Sequence, residues 1–133
     1  MSARFWIFIA AILGGSAVAA GAIGAHALGG AAALDASWRS YNAAQYNHAI
    51  HALALLGVAL LIRQPEGHRA VFASWALQIA AAAFAIGVVL FSGGIYAHVA
   101  AGITSLTKLV PVGGTVLIAA WVALAIAALG IRF

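Results

Sequence analysis

AVFASWALQIAAAAFAIGVVLFSGGIYA, residues 70–97, runs for 28 positions without a charged side chain. A helix needs about 20 mostly apolar residues to cross the hydrocarbon core of a bilayer, so this stretch places the chain in a membrane. Two neighbours repeat the pattern. Phe5 to Ala25 and Val112 to Ile131 are also uncharged. A fourth run, Ala43 to Ile62, has no charge but holds Gln45, Asn47, His48 and His51. Strands are a poor alternative, because alanine is abundant and apolar-polar alternation is missing. Within lipid only helices and closed barrels satisfy their own backbone. The expected fold is all-α: one integral membrane domain over residues 1–133, a four-helix bundle with spans at about 5–25, 43–62, 70–92 and 112–131.

Composition narrows the function classes. Apolar residues make up 66% of the chain and charged residues 6%, whereas a soluble domain carries about 25% charged residues. Four spans and their loops leave little length for a soluble catalytic domain. The net charge of +4 comes from only six Lys and Arg, placed singly or in pairs at span ends. No cluster forms a phosphate-binding track, so nucleic acid is not an expected partner. The basic residues act instead as orientation signals and headgroup contacts. With no cysteine in the chain, disulfides, thiolate metal sites and c-type haem attachment are excluded. The charged start and apolar run at the N-terminus resemble a signal peptide, but 21 residues from Phe5 to Ala25 exceed a usual signal core. This run is read as the first span.

Punctuation between the runs sets the boundaries. Small residues at Gly14, Gly15, Ser16, Gly21 and Gly24 suit the first span to close helix packing, and Gly29-Gly30 ends it. In the segment from Ala31 to Asn47, Leu34, Trp38, Tyr41 and Gln45 form a stripe, and Asp35 and Arg39 form an i, i+4 pair. That pattern predicts either a short interfacial amphipathic helix before the second span or a polar extension of the span itself. Residues 63–67 read as a polar turn. Gly93-Gly94 marks a bend or end of the third span, residues 102–108 a polar loop, and Pro111 the opening of the fourth helix. With four spans, Arg4, Arg63, Arg69 and Arg132 share one side and Arg39 and Lys108 the other. The excess of positive charge predicts that both termini face the cytoplasm of a bacterial inner membrane.

This topology gathers the histidines. His26 ends span one, His48 and His51 lie in the first half of span two, and His98 follows span three, all toward one membrane face. Tyr41, Tyr46, Ser92, Tyr96 and Lys108 are placed to join them. Polar groups at membrane depth are costly, so they are paired or functional. Three readings stay open. The histidines hydrogen-bond neighbouring helices and fix the bundle's register. Or His26, His48, His51, Tyr46, Ser92, Tyr96 and Lys108 line a pocket for a lipid, quinone or other small lipophilic ligand. Or His26, His48, His51 and His98 hold a metal or a haem iron, which needs one or two imidazoles. The sequence requires no cofactor.

Enzymatic signals are poor. The two carboxylates, Asp35 and Glu66, fall on opposite faces, which disfavours two-carboxylate chemistry. Neither a phosphate-cradling loop nor a nucleophile elbow is present. A catalytic role is therefore not expected. Small size and a glycine-rich first span suit an accessory subunit of a larger membrane complex or a homo-oligomer. A transporter is disfavoured, because charged groups within the spans are absent.

Four segments together carry a resemblance: GAIGAHAL at 21–28, NHAIHALALLGVALL at 47–61, FSGGIYAHVAAG at 91–102 and PVGGTVLIAAWVALA at 111–125. They resemble the family called domain of unknown function 423, which includes the transmembrane protein 256-like proteins. The resemblance spans nearly the whole chain. It implies a four-span helical protein of bacterial inner membranes and eukaryotic organelles, and supplies no reaction. By motif position it singles out His26, His51, Ser92, Gly93, Tyr96, Pro111, Gly113 and Gly114. His98 falls outside the pattern, and His48 matches only some members.

Overall fold

The computed structural model describes residues 1–28, 36–62 and 68–130. The expected Gly29-Gly30 break, Asp35 of the Asp35–Arg39 pair and the polar turn at 63–67 lie outside these residues. Four helices form the molecule: α1 (Ala3–Ile23), α2 (Ala36–Leu61), α3 (His68–Ala101) and α4 (Val110–Ala128). Each coincides over most of its length with a segment long and apolar enough to cross a membrane. The chain is an all-α membrane protein, with no strand among the described residues.

Helix starts follow local chemistry. Ser2 caps α1, its hydroxyl accepting the Phe5 N–H at 3.3 Å. Pro111 stands in the first turn of α4, where its missing N–H leaves no helix bond unmade. α3 ends at Gly102, whose φ of +69° is open to glycine at little cost. There the Gly102 N–H bonds the His98 carbonyl at 3.0 Å and the Ile103 N–H bonds Ala97 at 3.0 Å.

Two boundaries differ from the sequence reading, and a third is decided between its two alternatives. α3 does not end at Gly93-Gly94 but continues to Ala101. The pair remains helical, and a Cβ at Gly94 would lie 2.9 Å from the Val110 side chain and 3.0 Å from the Leu106 carbonyl. Gly94 therefore admits the chain returning toward α4, and breaks nothing. The expected loop at 102–108 is largely a 3-10 segment, Thr104–Leu109, that runs into α4. From Ala36 the amphipathic stretch is the beginning of α2, not a separate helix, and Tyr41 and Gln45 of its stripe bond α1. Tyr41 is buried and its ring stacks on Trp38 at 6.1 Å.

α1 packs chiefly on α2, α2 on α3, and α3 on α4. One apolar cluster runs through all four helices, from Trp6 and Ala10 through Leu55, Val58, Ala80 and Phe84 to Leu117, Ala120 and Ala127. Many members are alanines. Lipid tails are as apolar as leucine, so close contact between small residues supplies the attraction here. Glycines mark the tightest seams. A Cβ at Gly24 would stand 2.7 Å from the Tyr41 ring, and one at Gly87 2.6 Å from Leu117. At Gly113 it would collide with the Phe91 backbone nitrogen and lie 2.9 Å from the Leu90 carbonyl carbon. Gly14 and Gly15 behave differently: a Cβ at either meets nothing within 4 Å.

Candidate functional site

His48 and His51 are one turn apart on α2, yet each reaches a helix that the other does not. Three residues advance a helix by about 300°, which leaves the two rings about 60° apart around α2. Both meet α3, and from there His48 reaches Ser16 of α1 and His51 reaches Trp121 of α4. Both are buried.

His51 is fully engaged. Its Nδ1 lies 2.7 Å from the Asn47 carbonyl, and the Trp121 indole N–H donates to its Nε2 at 3.2 Å. A carbonyl only accepts and an indole only donates. Those two partners assign the proton of a neutral imidazole to Nδ1. Phe84 completes the packing, 5.8 Å from the His51 ring and 5.1 Å from that of Trp121. This knot joins α2, α3 and α4, and neither ring nitrogen is left for a metal or a ligand.

His48 is held more loosely. Its Nε2 lies 3.4 Å from the Ser16 hydroxyl of α1, and its Nδ1 lies 3.4 Å from the Tyr96 hydroxyl of α3. Both distances are long for hydrogen bonds of this kind. Ser16 already donates to the Leu13 carbonyl at 3.0 Å, so it can only accept from His48. That places the His48 proton on Nε2 and leaves Nδ1 to accept from Tyr96. The two histidines thus take opposite tautomers.

Further polar groups continue this seam. Tyr41 packs 4.9 Å from the Tyr96 ring and donates to the Ala20 carbonyl of α1 at 2.8 Å. Gln45 donates to the Ala17 carbonyl at 3.3 Å. Ser92, fully buried on α3, donates to the Ala44 carbonyl of α2 at 2.8 Å. At the other end of the bundle the Trp6 indole donates to Gln78 at 2.7 Å, and Gln78 donates to the Met1 carbonyl at 2.7 Å. Among the described residues no buried side-chain nitrogen or oxygen lacks a partner.

The structure therefore divides the expected set. It brings together His48 and Tyr96, with Ser92 one turn along α3 from Tyr96. His26 and Lys108 are exposed near helix ends, and Tyr46 is 66% exposed on α2. His98 is exposed in the last turn of α3. His26, His48, His51 and His98 do not converge, and among the described residues no three His, Cys, Asp or Glu side chains gather where they could hold a metal ion. Three partners escaped the sequence reading: Ser16, Trp121 and Gln78. Each was a polar or amphipathic residue inside an apolar run, which is the signal that singles it out.

A protein-family model described as "Protein of unknown function (DUF423)" matches residues 20–114. The chain is similar to the UPF0382 inner membrane protein YgdD of Escherichia coli K12, with 31% identity over 99% of this chain and 95% of that protein. It is also similar to the UPF0382 membrane protein YwdK of Bacillus subtilis 168, with 34% identity over 94% and 96% of the two chains. No solved structure matches.

Proposed function

The chain belongs to the DUF423 family, and on that premise we propose that it is a non-catalytic accessory or assembly protein of the inner membrane. One observation carries this reading: the buried polar side chains bond to other groups of the bundle and converge on no reaction centre. Tyr41, Gln45, Ser92 and His51 each bond a backbone carbonyl. The first three bridge two helices, and His51 bridges to α4 through Trp121.

α1 supplies a surface for such a role. Its inner face, with Ala10, Ala17 and Ala20, is buried. Its outer face carries Ala11, Gly15 and Ala19, spaced four apart and all exposed. That spacing lets a second transmembrane helix approach closely. Glycine within a helix costs about 0.5–1 kcal/mol relative to alanine, and Gly15 is unused inside the bundle. A photocrosslinking residue at position 15 in native membranes is expected to give a discrete protein adduct that Ala19→Leu removes. The same probe at Ile118, 67% exposed on α4, serves as the comparison. Lipid adducts alone at both positions would contradict the docking role.

A second reading is a small lipophilic ligand held at a polar site, as the sequence suggested but with fewer residues. It is favoured by the two long contacts of His48 and by the exposure of Ser16 beside it. Of the seven residues expected to line the pocket, His48 and Tyr96 carry this reading.

We infer that both termini face the cytoplasm, a reading the distribution of Lys and Arg supports. A C-terminal fluorescent fusion is then expected to glow and a C-terminal alkaline phosphatase fusion to stay inactive. The reverse pair of results would invert the topology.

A further inference from the structure

We propose that the Nε2–H of His48, at the seam between α1 and α2, binds a carbonyl oxygen carried by a molecule dissolved in the lipid phase. This deepens the second reading above and rests on it. The hydrogen-bond directions make the seam a donor site. Tyr96 faces Nδ1 and Ser16 already donates to Leu13, which leaves Nε2–H directed at the Ser16 hydroxyl of α1, 3.4 Å away. Gln45, three residues earlier on α2, has two amide hydrogens and shows one bond, to Ala17 at 3.3 Å. Two donors with weak partners, less than one turn apart and both turned toward α1, match an acceptor and disfavour a second donor.

Access comes from the lipid side. Ser16 is exposed, and its bond to Leu13 persists when it leaves His48. A ligand oxygen can therefore replace Ser16 at Nε2 without leaving the serine unbonded. Depth narrows the source. His48 lies about 18 Å along α2 from Ala36 and about 13 Å beyond Arg39, at 1.5 Å per residue. That is near the middle of the helix, below the level of phospholipid ester carbonyls. A quinone, whose carbonyls sit on an apolar ring within the bilayer interior, fits that depth.

The test uses the full protein in nanodiscs of ether-linked phospholipid, which lacks carbonyls. A short-chain 1,4-benzoquinone is titrated in while the side-chain ¹⁵N signals of the histidines are followed. A saturable shift of the His48 Nε2–H signal, with His51 unmoved, is expected. Affinity should fall at least about tenfold in His48→Phe, as expected for losing a buried hydrogen bond. Ser16→Ala should retain binding, and so separates loss of the site from loss of the fold. A shift on changing to ester lipid, with none from the benzoquinone, would assign the same carbonyl chemistry to phospholipid. Benzoquinone retained with an unmoved His48 signal would overturn this site while leaving the ligand-binding reading intact. No retention and no shift in either lipid would overturn both.

Discussion

Gly113→Leu is expected to cost more than about 3 kcal/mol, the upper part of the range for overpacking, and to abolish the folded bundle in mild detergent. A Cβ there would meet the backbone of Leu90 and Phe91 on α3. Side chains can rotate away from an intruder, but backbone in a helix cannot without separating α3 from α4. That pair forms the most extensive helix contact in the molecule. Gly114 provides the internal comparison, because a Cβ there would sit 3.6 Å from the Phe91 ring, an ordinary contact. Gly114→Ala should melt within about 1 kcal/mol of the parent, as expected away from backbone collisions. Thermal melts followed by circular dichroism in detergent would separate the two. Equal melts would show that α3 and α4 are not in backbone contact at Gly113.

The second large effect concerns His51. His51→Ala is expected to cost about 2–3 kcal/mol, from the cavity it leaves among helices and the unpaired Trp121 indole. His51→Phe, which restores most of the volume, should recover much of this. The hydrogen bond itself is isolated by a double-mutant cycle with Trp121→Phe. Membrane-protein cycles of this kind give about 0.6 kcal/mol on average and reach about 1.7. A coupling energy of zero, together with a neutral His51→Ala, would show that the knot of α2, α3 and α4 does not form.

Much of this architecture was legible in the chain because lipid imposes a simple rule. Uncharged runs long enough to cross had to be helices, and the four spans follow directly. The expected end of span three at Gly93-Gly94 follows a rule suited to water-soluble helices, whereas α3 continues to Ala101. In the membrane Gly94 makes room for Val110 and Leu106. The first span's glycines were half legible. Gly21 and Gly24 meet Gln45 and Tyr41, whereas Gly14 and Gly15 meet nothing.

The site was harder to read. Topology sent four histidines toward one face, but sharing a face fixes neither depth nor direction. His26 stops at the helix end, and His48 and His51, one turn apart on α2, meet different partners, Ser16 of α1 and Trp121 of α4. The partner choices depend on the rotation of neighbouring helices. Ser16 and Trp121 are set by the packing of α1 and α4, which no spacing within α2 encodes. Ser92 was flagged by its motif, yet its hydroxyl bonds Ala44 and faces no open site.

The central claim is that the two histidines divide into a closed pin and a more loosely held donor. Solid-state NMR of the ¹⁵N-histidine-labelled protein in bilayers tests it most directly, because protonated and unprotonated ring nitrogens resonate far apart. The account predicts opposite neutral tautomers: His51 with its proton on Nδ1, and His48 with its proton on Nε2. An Nε2-protonated His51, the same tautomer at both residues, or a nitrogen shift characteristic of metal ligation would contradict it.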